Sequence, residues 1–232
     1  MSKNVIEISD MVKKFPIGGD YFTALKDINI EFKEGEFAGL VGPSGSGKTT
    51  LLNIIGGLDS VSDGEISVLG QSIKETTHEQ RALIRRKYMG FIFQSYNLLP
   101  VYSVYENIEF PLILNKIDKT ERREKVMQAI EWVGLSDKVD SKPNQLSGGQ
   151  CQRTAIARAI VHEPSLVLAD EPTANLDSEN SHHIMEIMQN LNKNLKTSFI
   201  FATHDEKIMG YLRRIVYLED GSIVKDDLIK KQ

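Results

Sequence analysis

The chain has 232 residues, 41% of them hydrophobic and 26% charged, which suits one large globular domain or one domain with an inserted lobe. Its net charge of −4 argues against a broad nucleic-acid surface, which would be basic. No apolar run approaches the roughly 20 residues that span a bilayer, Met1 to Glu7 contains no signal-peptide core, and the lone Cys151 excludes an internal disulfide or a cysteine-cluster metal site. A cytosolic protein is expected.

In chain order, Val5, Ile6 and Ile8 suggest a first strand, and Ile28, Ile30 and Phe32 alternate with Asn29 and Glu31 in a second. Glu36 to Val41 reads as a buried strand, followed by Gly42-Pro43-Ser44-Gly45-Ser46-Gly47-Lys48-Thr49 and then by a helix over Thr50 to Ile55. The octapeptide matches the phosphate-binding loop pattern, G-x-x-x-x-G-K-[ST], in full, and it has the required strand before it and helix after it. The loop's N–H groups would converge on phosphate oxygens, reinforced by the unsatisfied donors of the helix start. Lys48 would reach the outer phosphates and the Thr49 hydroxyl would ligate Mg²⁺.

Asp63-Gly64 and Leu69-Gly70 flank a strand over Glu65 to Leu69. Asp118 to Glu121 resembles a capping box, with Val126, Ile130 and Val133 at helical spacing and Gly134 as a stop. Ser147 should cap another helix, and Ile184, Ile187, Met188, Leu191 and Leu195 form the apolar stripe of a third. Leu166 to Ala169 and Ser198 to Ala202 read as buried parallel strands. Val216 to Leu218, Asp220-Gly221 and Ile223-Val224 read as a closing hairpin.

Two further segments carry chemistry. The strand over Leu166 to Ala169 ends in Asp170-Glu171, where a phosphate-loop ATPase holds a second magnesium contact (Asp170) and polarises an attacking water (Glu171). Two solvated acids at a strand end would look the same, and the complete phosphate loop upstream favours the catalytic reading. In Leu146-Ser147-Gly148-Gly149-Gln150 a good N-cap and two glycines let a phosphate approach backbone N–H groups, which makes a second anion site. A merely well-capped helix is the plainer alternative.

With these motifs in this order the chain resembles the ATP-binding-cassette ATPases over nearly its whole length. Leu146 to Gln150 matches the family signature letter for letter. Gln94, after the apolar run Met89 to Phe93, resembles the Q-loop glutamine; Asn175-Leu176-Asp177 resembles the D-loop, where many members have a small residue in place of Asn175; His204 resembles the switch histidine. Phe15 stands where the family places an adenine-stacking aromatic, with Tyr21 and Phe22 as alternatives. The resemblance implies an α/β fold: a phosphate-loop core with a mixed sheet, an N-terminal antiparallel β subdomain, and a helical subdomain inserted at about 95–162 of a single domain over 1–232. It also implies the cofactors ATP and Mg²⁺, with Thr49, Gln94 and Asp170 at the metal, and Phe15 and Gly42 through Thr50 at the nucleotide. Glu171 would be general base, His204 would hold the γ-phosphate and water in line, and Gln94 would contact Mg²⁺ or water.

Members of this family work as head-to-tail pairs, so a second copy of the chain is an expected partner, its Leu146 to Gln150 closing on this chain's ATP. Leu51 to Asp59, Gly90 to Gln94, Asn97 to Pro100 and Tyr105 to Ile108 resemble the lipoprotein-release and macrolide-export subgroup, whose ATPases serve separate membrane subunits related to FtsX. The implied function is ATP hydrolysis that drives membrane subunits in export, lipoprotein release or mechanotransmission. The implied location is peripheral, on the inner face of the cell membrane. A permease would dock near Gln94 to Asn107, where Tyr96, Leu98, Leu99, Val101 and Tyr102 cluster. A soluble cassette acting on nucleic acid or the ribosome, and an ATP-gated scaffold, are the competing classes. The first usually carries two cassettes or a coiled-coil insert and no nucleic acid is expected here; the second would lack Glu171 or His204. Cys151 reads as a half-buried thiol on the signature helix, His182-His183 has no third metal ligand, and Arg85-Arg86-Lys87 and Arg122-Arg123 read as solvated faces.

Overall fold

The computed structural model describes residues 3–229. Its elements, in order, are β1 (Asn4–Ile17), β2 (Asp20–Lys33), β3 (Phe37–Val41), α1 (Lys48–Ile55), β4 (Asp63–Val68), β5 (Gln71–Ser72), α2 (His78–Tyr88), β6 (Met89–Ile92), α3 (Val104–Leu114), α4 (Lys119–Trp132), a 3-10 turn (Pro143–Gln145), α5 (Gly148–Ile160), β7 (Leu166–Asp170), α6 (Ser178–Leu195), β8 (Ser198–Thr203), α7 (Glu206–Met209), β9 (Arg214–Glu219) and β10 (Ser222–Leu228). This is the expected α/β fold with an antiparallel N-terminal sheet. The chain forms two compact units, Met1–Arg85 with Ser198–Gln232, and Arg86–Thr197.

In the first unit, β2, β1, β4 and β5 form an antiparallel sheet. Ile6 and Ile8 of β1 lie opposite Phe32 and Ile30 of β2 on one side and Val68 and Ile66 of β4 on the other, and all six are buried. The β1–β2 hairpin runs on to a Gly18-Gly19 turn, well beyond the expected strands. Its outer half escapes the alternation test because Lys14 to Tyr21 are exposed on both faces, so no apolar period marks it.

The same unit holds β3 between two parallel neighbours, β8 and β9, with β10 antiparallel to β9. Every residue of β3 and β8 is buried, which is why both read as continuous apolar runs. The rings of Phe37, Phe199 and Phe201 pack together with centroids 4.7–6.0 Å apart. Asp220 and Gly221, at φ 45° and 80°, turn the expected closing hairpin.

In the second unit β6 runs parallel to β7. Helix α5 is largely buried, contributing Ala155, Ile156 and Ile160 to a core shared with Val126 and Ile130 of α4 and Ile184 and Met188 of α6. Helix α3 is an unpredicted element, because Pro111 interrupts its pattern. Ser103 and Glu106 cap it reciprocally, and the buried Asn107 amide donates to the carbonyls of Leu99, Tyr102 and Ser103. At α4 the N-cap bond is the one from Thr120 N–H to Asp118 Oδ1 (2.8 Å); reciprocal capping boxes occur at α3 and α5 instead.

Two basic residues depart from the solvated-face reading. Arg85 donates to the Gly57 carbonyl (2.6 Å), and Arg122 pairs with Glu109 (2.9 Å) and donates to the Ile117 carbonyl (2.8 Å). Each spends its donors on main-chain or carboxylate oxygens that helix packing brings into reach.

Candidate functional site

The phosphate loop leaves the carboxyl end of β3 and enters α1. Gly47 caps α1 with φ 102°, and a Cβ there would lie 2.7 Å from Leu25 Cδ2 and 3.0 Å from the Ala24 carbonyl oxygen. A Cβ on Gly42 would overlap the Leu218 carbonyl oxygen. Both positions therefore need glycine, for a left-handed backbone in one case and for close approach in the other. Ser46 is buried, and its Oγ has no hydrogen-bond partner. The Lys48 ammonium, also buried, donates to the Gly42 and Pro43 carbonyls at 2.7 and 2.9 Å. Pro43, Ser44, Gly45 and Thr49 are exposed, and Thr50 is half-buried. The first turn of α1 carries no acidic side chain of its own, and a helix N-terminus favours negative charge.

β8 lies beside β3 with Thr203 opposite Val41, so His204 emerges at the same end as the phosphate loop. It is exposed, ahead of an Asp205 cap on α7. Phe15 and Phe22 are cross-strand partners on one face of the β1–β2 hairpin, both exposed, while Tyr21 pairs with Pro16. The Lys13 ammonium, ion-paired with Asp59 at 2.6 Å, sits 4.8 Å from the centre of the Phe15 ring.

In the second unit the parallel pair β6 and β7, with Ile92 opposite Ala169, sends Gln94, Asp170 and Glu171 out at one end. Glu171 has φ 45°, an uncommon backbone for a non-glycine residue and one that clusters at functional sites. The buried Gln152 amide of α5 donates to the carbonyl of the next residue, Pro172 (2.5 Å). The segment after Gln94 is held as tightly: Tyr96 and Asn97 both have positive φ, and the Arg158 guanidinium of α5 donates to both their carbonyls. Asn175 donates from Nδ2 to the Gln94 carbonyl at 2.8 Å. Leu176 is half-buried, and Asp177 caps α6 by accepting from Asn180 N–H (2.8 Å); hydrogen bonds from the Asn180 backbone and side chain hold its carboxyl below the usual carboxylate range.

The second glycine-lined helix start is built as its sequence implies. Leu146 ends the 3-10 turn, and Ser147 and Gln150 cap each other reciprocally at 3.3 and 2.9 Å. A Cβ on the buried Gly149 would lie 2.6 Å from Asn180 Oδ1, whereas Gly148 is exposed. The first turn of α5 is again free of acids. Cys151 is buried, with Sγ 3.6 Å from the Pro143 carbonyl, and burial pushes its thiol pKa up. It is therefore held as an unreactive thiol.

Two residues that shape this site went unread in the sequence, Gln152 and Arg158. The available signal was Gln152 itself, a polar residue three, four and seven positions before the buried Ala155, Ile156 and Ala159. A polar side chain on a helix's buried face needs a partner.

The ABC transporter family matches residues 25–174. The lipoprotein-releasing system ATP-binding protein LolD of Francisella tularensis is 43% identical over 224 residues, covering 96% of this chain and 97% of that protein. The uncharacterized ABC transporter ATP-binding protein YknY of Bacillus subtilis is 42% identical over 220 residues, covering 95% of each. A dimeric structure of MJ0796, an ABC transporter cassette of Methanocaldococcus jannaschii, superposes with TM-score 0.90 at 38% identity, covering 98% of this chain and all of that one. The same cassette as a post-hydrolysis dimer with ADP and Pi gives 0.89 at 37%. With a family match over more than half its length and relatives that align nearly end to end, this chain belongs to the ABC transporter family.

Proposed function

We propose that the protein is the ATP-hydrolysing subunit of a membrane export or release complex, two copies closing head to tail on two Mg-ATP and driving separate membrane subunits. One observation carries this reading: a single chain has two glycine-lined helix N-termini free of first-turn acids, α1 behind the phosphate loop and α5 at Ser147. A triphosphate presents negative oxygens on two faces, and the α5 start of a second copy supplies donors for the outer one. Residues 1–232 then act as one nucleotide-binding domain, with its helical lobe at about 95–162.

The donor set suits ATP and Mg²⁺: a buried ammonium, an orphaned buried serine hydroxyl and a glycine cradle on one side, and carboxylate, amide and hydroxyl oxygens for the metal. Gly42 to Thr50 hold the phosphates and Lys48 neutralises the outer ones. Leu146 to Gln150 close the site of the opposite copy, beside the D-loop Asn175 to Asp177. Thr49, Asp170 and Gln94 hold Mg²⁺, which neutralises charge that develops on the phosphates. Glu171 accepts the proton of the attacking water, and His204 aligns that water with the γ-phosphate. Phe15 stacks on adenine.

The relatives named above include a lipoprotein-releasing ATPase, which favours work on an extracytoplasmic lipoprotein or similar cargo over action on nucleic acid. Among the described residues no helix is long and apolar enough to cross a membrane. In this reading the membrane subunits hold the protein at the inner face of the membrane. The exposed Leu99, Val101 and Tyr102, in the Gln94 to Asn107 stretch, are the docking surface.

Purified protein is expected to release phosphate from ATP with Mg²⁺ and to stop on adding EDTA; Mg²⁺-independent release, or none with membranes carrying the partner, would contradict the reading. Phe15→Ala is expected to weaken ATP binding about tenfold by loss of base stacking, measured calorimetrically. Unchanged affinity would move the stacking role to Phe22, its partner across the hairpin.

A further inference from the structure

The geometry points to Asn175 as a positioning residue for Gln94, tying the loop that follows Glu171 to the loop that carries the metal-contacting amide. This rests on the reading of Gln94 proposed above. The Asn175 Nδ2 donates to the Gln94 carbonyl at 2.8 Å, so the bond fixes the main chain of Gln94 and leaves its side chain to act. Gln94 is exposed, two residues beyond β6, and lacks the ladder hydrogen bonds that hold a strand. Its loop is anchored just downstream, where Arg158 grips the carbonyls of Tyr96 and Asn97. Asn175 supplies the matching anchor on Gln94 itself.

The far end of this link is equally defined. Asn175 lies four residues after Glu171, in a short loop bounded by the Gln152 bond to Pro172 and by the Asp177 cap of α6. A displacement of Gln94 on nucleotide binding is therefore passed through one hydrogen bond to the loop of the general base. Losing that bond lets the Gln94 amide wander, which costs alignment and leaves the phosphate cradle of α1 untouched.

The test uses the full-length Asn175→Ala and Asn175→Ser variants, whose side chains are too short to reach the Gln94 carbonyl, with Gln94→Ala alongside. The expected result is a kcat about fivefold lower, the scale of one hydrogen bond, with KM for ATP and the melting temperature unchanged. Amide hydrogen exchange should rise about threefold in a peptide spanning residues 94–98. A parent kcat in both Asn175 variants while Gln94→Ala is slow would overturn the inference and leave the Gln94 role standing. A parent kcat in Gln94→Ala would overturn the Gln94 role and the inference with it. A slower kcat with unchanged exchange would also overturn it, since Asn175 would then act by another route.

Discussion

Glu171→Gln is expected to abolish ATP turnover while leaving Mg-ATP binding intact. The substitution keeps side-chain size but replaces a carboxylate with an amide that cannot accept a proton from water. Its main chain is held from outside, by the end of β7 on one side and by the Gln152 bond to Pro172 on the other, so the left-handed backbone at φ 45° survives the change. General-base catalysis contributes roughly a hundredfold to ten-thousandfold, and kcat should fall on that scale. Phosphate release at saturating Mg-ATP, read beside calorimetric ATP affinity, checks both halves. Turnover at the parent rate would remove Glu171 from the role of base.

Lys48→Ala should fail in the opposite way, losing ATP before chemistry begins. The ammonium is buried against the phosphate loop, within hydrogen-bond distance of the Gly42 and Pro43 carbonyls, and is positioned to exchange them for phosphate oxygens. A hydrogen bond to a charged group contributes about 1.5–3 kcal/mol, which corresponds to ATP binding weakened roughly ten- to a hundredfold. Lys48→Arg should not restore it, because a bulkier planar guanidinium cannot take the compact ammonium's buried place against the Gly42 and Pro43 carbonyls. Calorimetric titration with Mg-ATP measures this directly. Parent-like affinity in Lys48→Ala would place the phosphates elsewhere. Together the two variants separate binding from turnover, a split that a general loss of folding could not produce.

Much of this site is legible in the sequence, for a physical reason. Strands buried on both faces, such as β3, β7 and β8, must be apolar throughout, and the polar residues at their carboxyl ends then mark where chemistry begins. Glycines that cannot carry a Cβ, Gly42 and Gly47, are similarly visible because no other residue meets the constraint. The outer halves of β1 and β2 are not visible, since a hairpin exposed on both faces leaves no apolar period. Nor is α3, because Pro111 masks its pattern while the Ser103–Glu106 capping box and the buried Asn107 amide secure it.

The ties around Gln94 and Glu171 are the least readable part. Gln152, Arg158 and Asn175 each act on a main-chain carbonyl at least 20 residues away in sequence, so neither spacing nor residue type identifies the partner. Arg85 and Arg122 are hidden differently: a basic pair looks solvated in sequence until packing shows which oxygens it faces, the distant Gly57 carbonyl for Arg85 and the nearby Glu109 carboxylate and Ile117 carbonyl for Arg122.

Sizing chromatography of Glu171→Gln with and without Mg-ATP tests whether ATP is sandwiched between two copies of this chain. With nucleotide expected to bind this variant and not to be hydrolysed, the expected result is a monomer in buffer and a dimer in Mg-ATP, reverting to monomer when ATP is replaced by ADP. A monomer at saturating Mg-ATP, with binding confirmed calorimetrically, would contradict it.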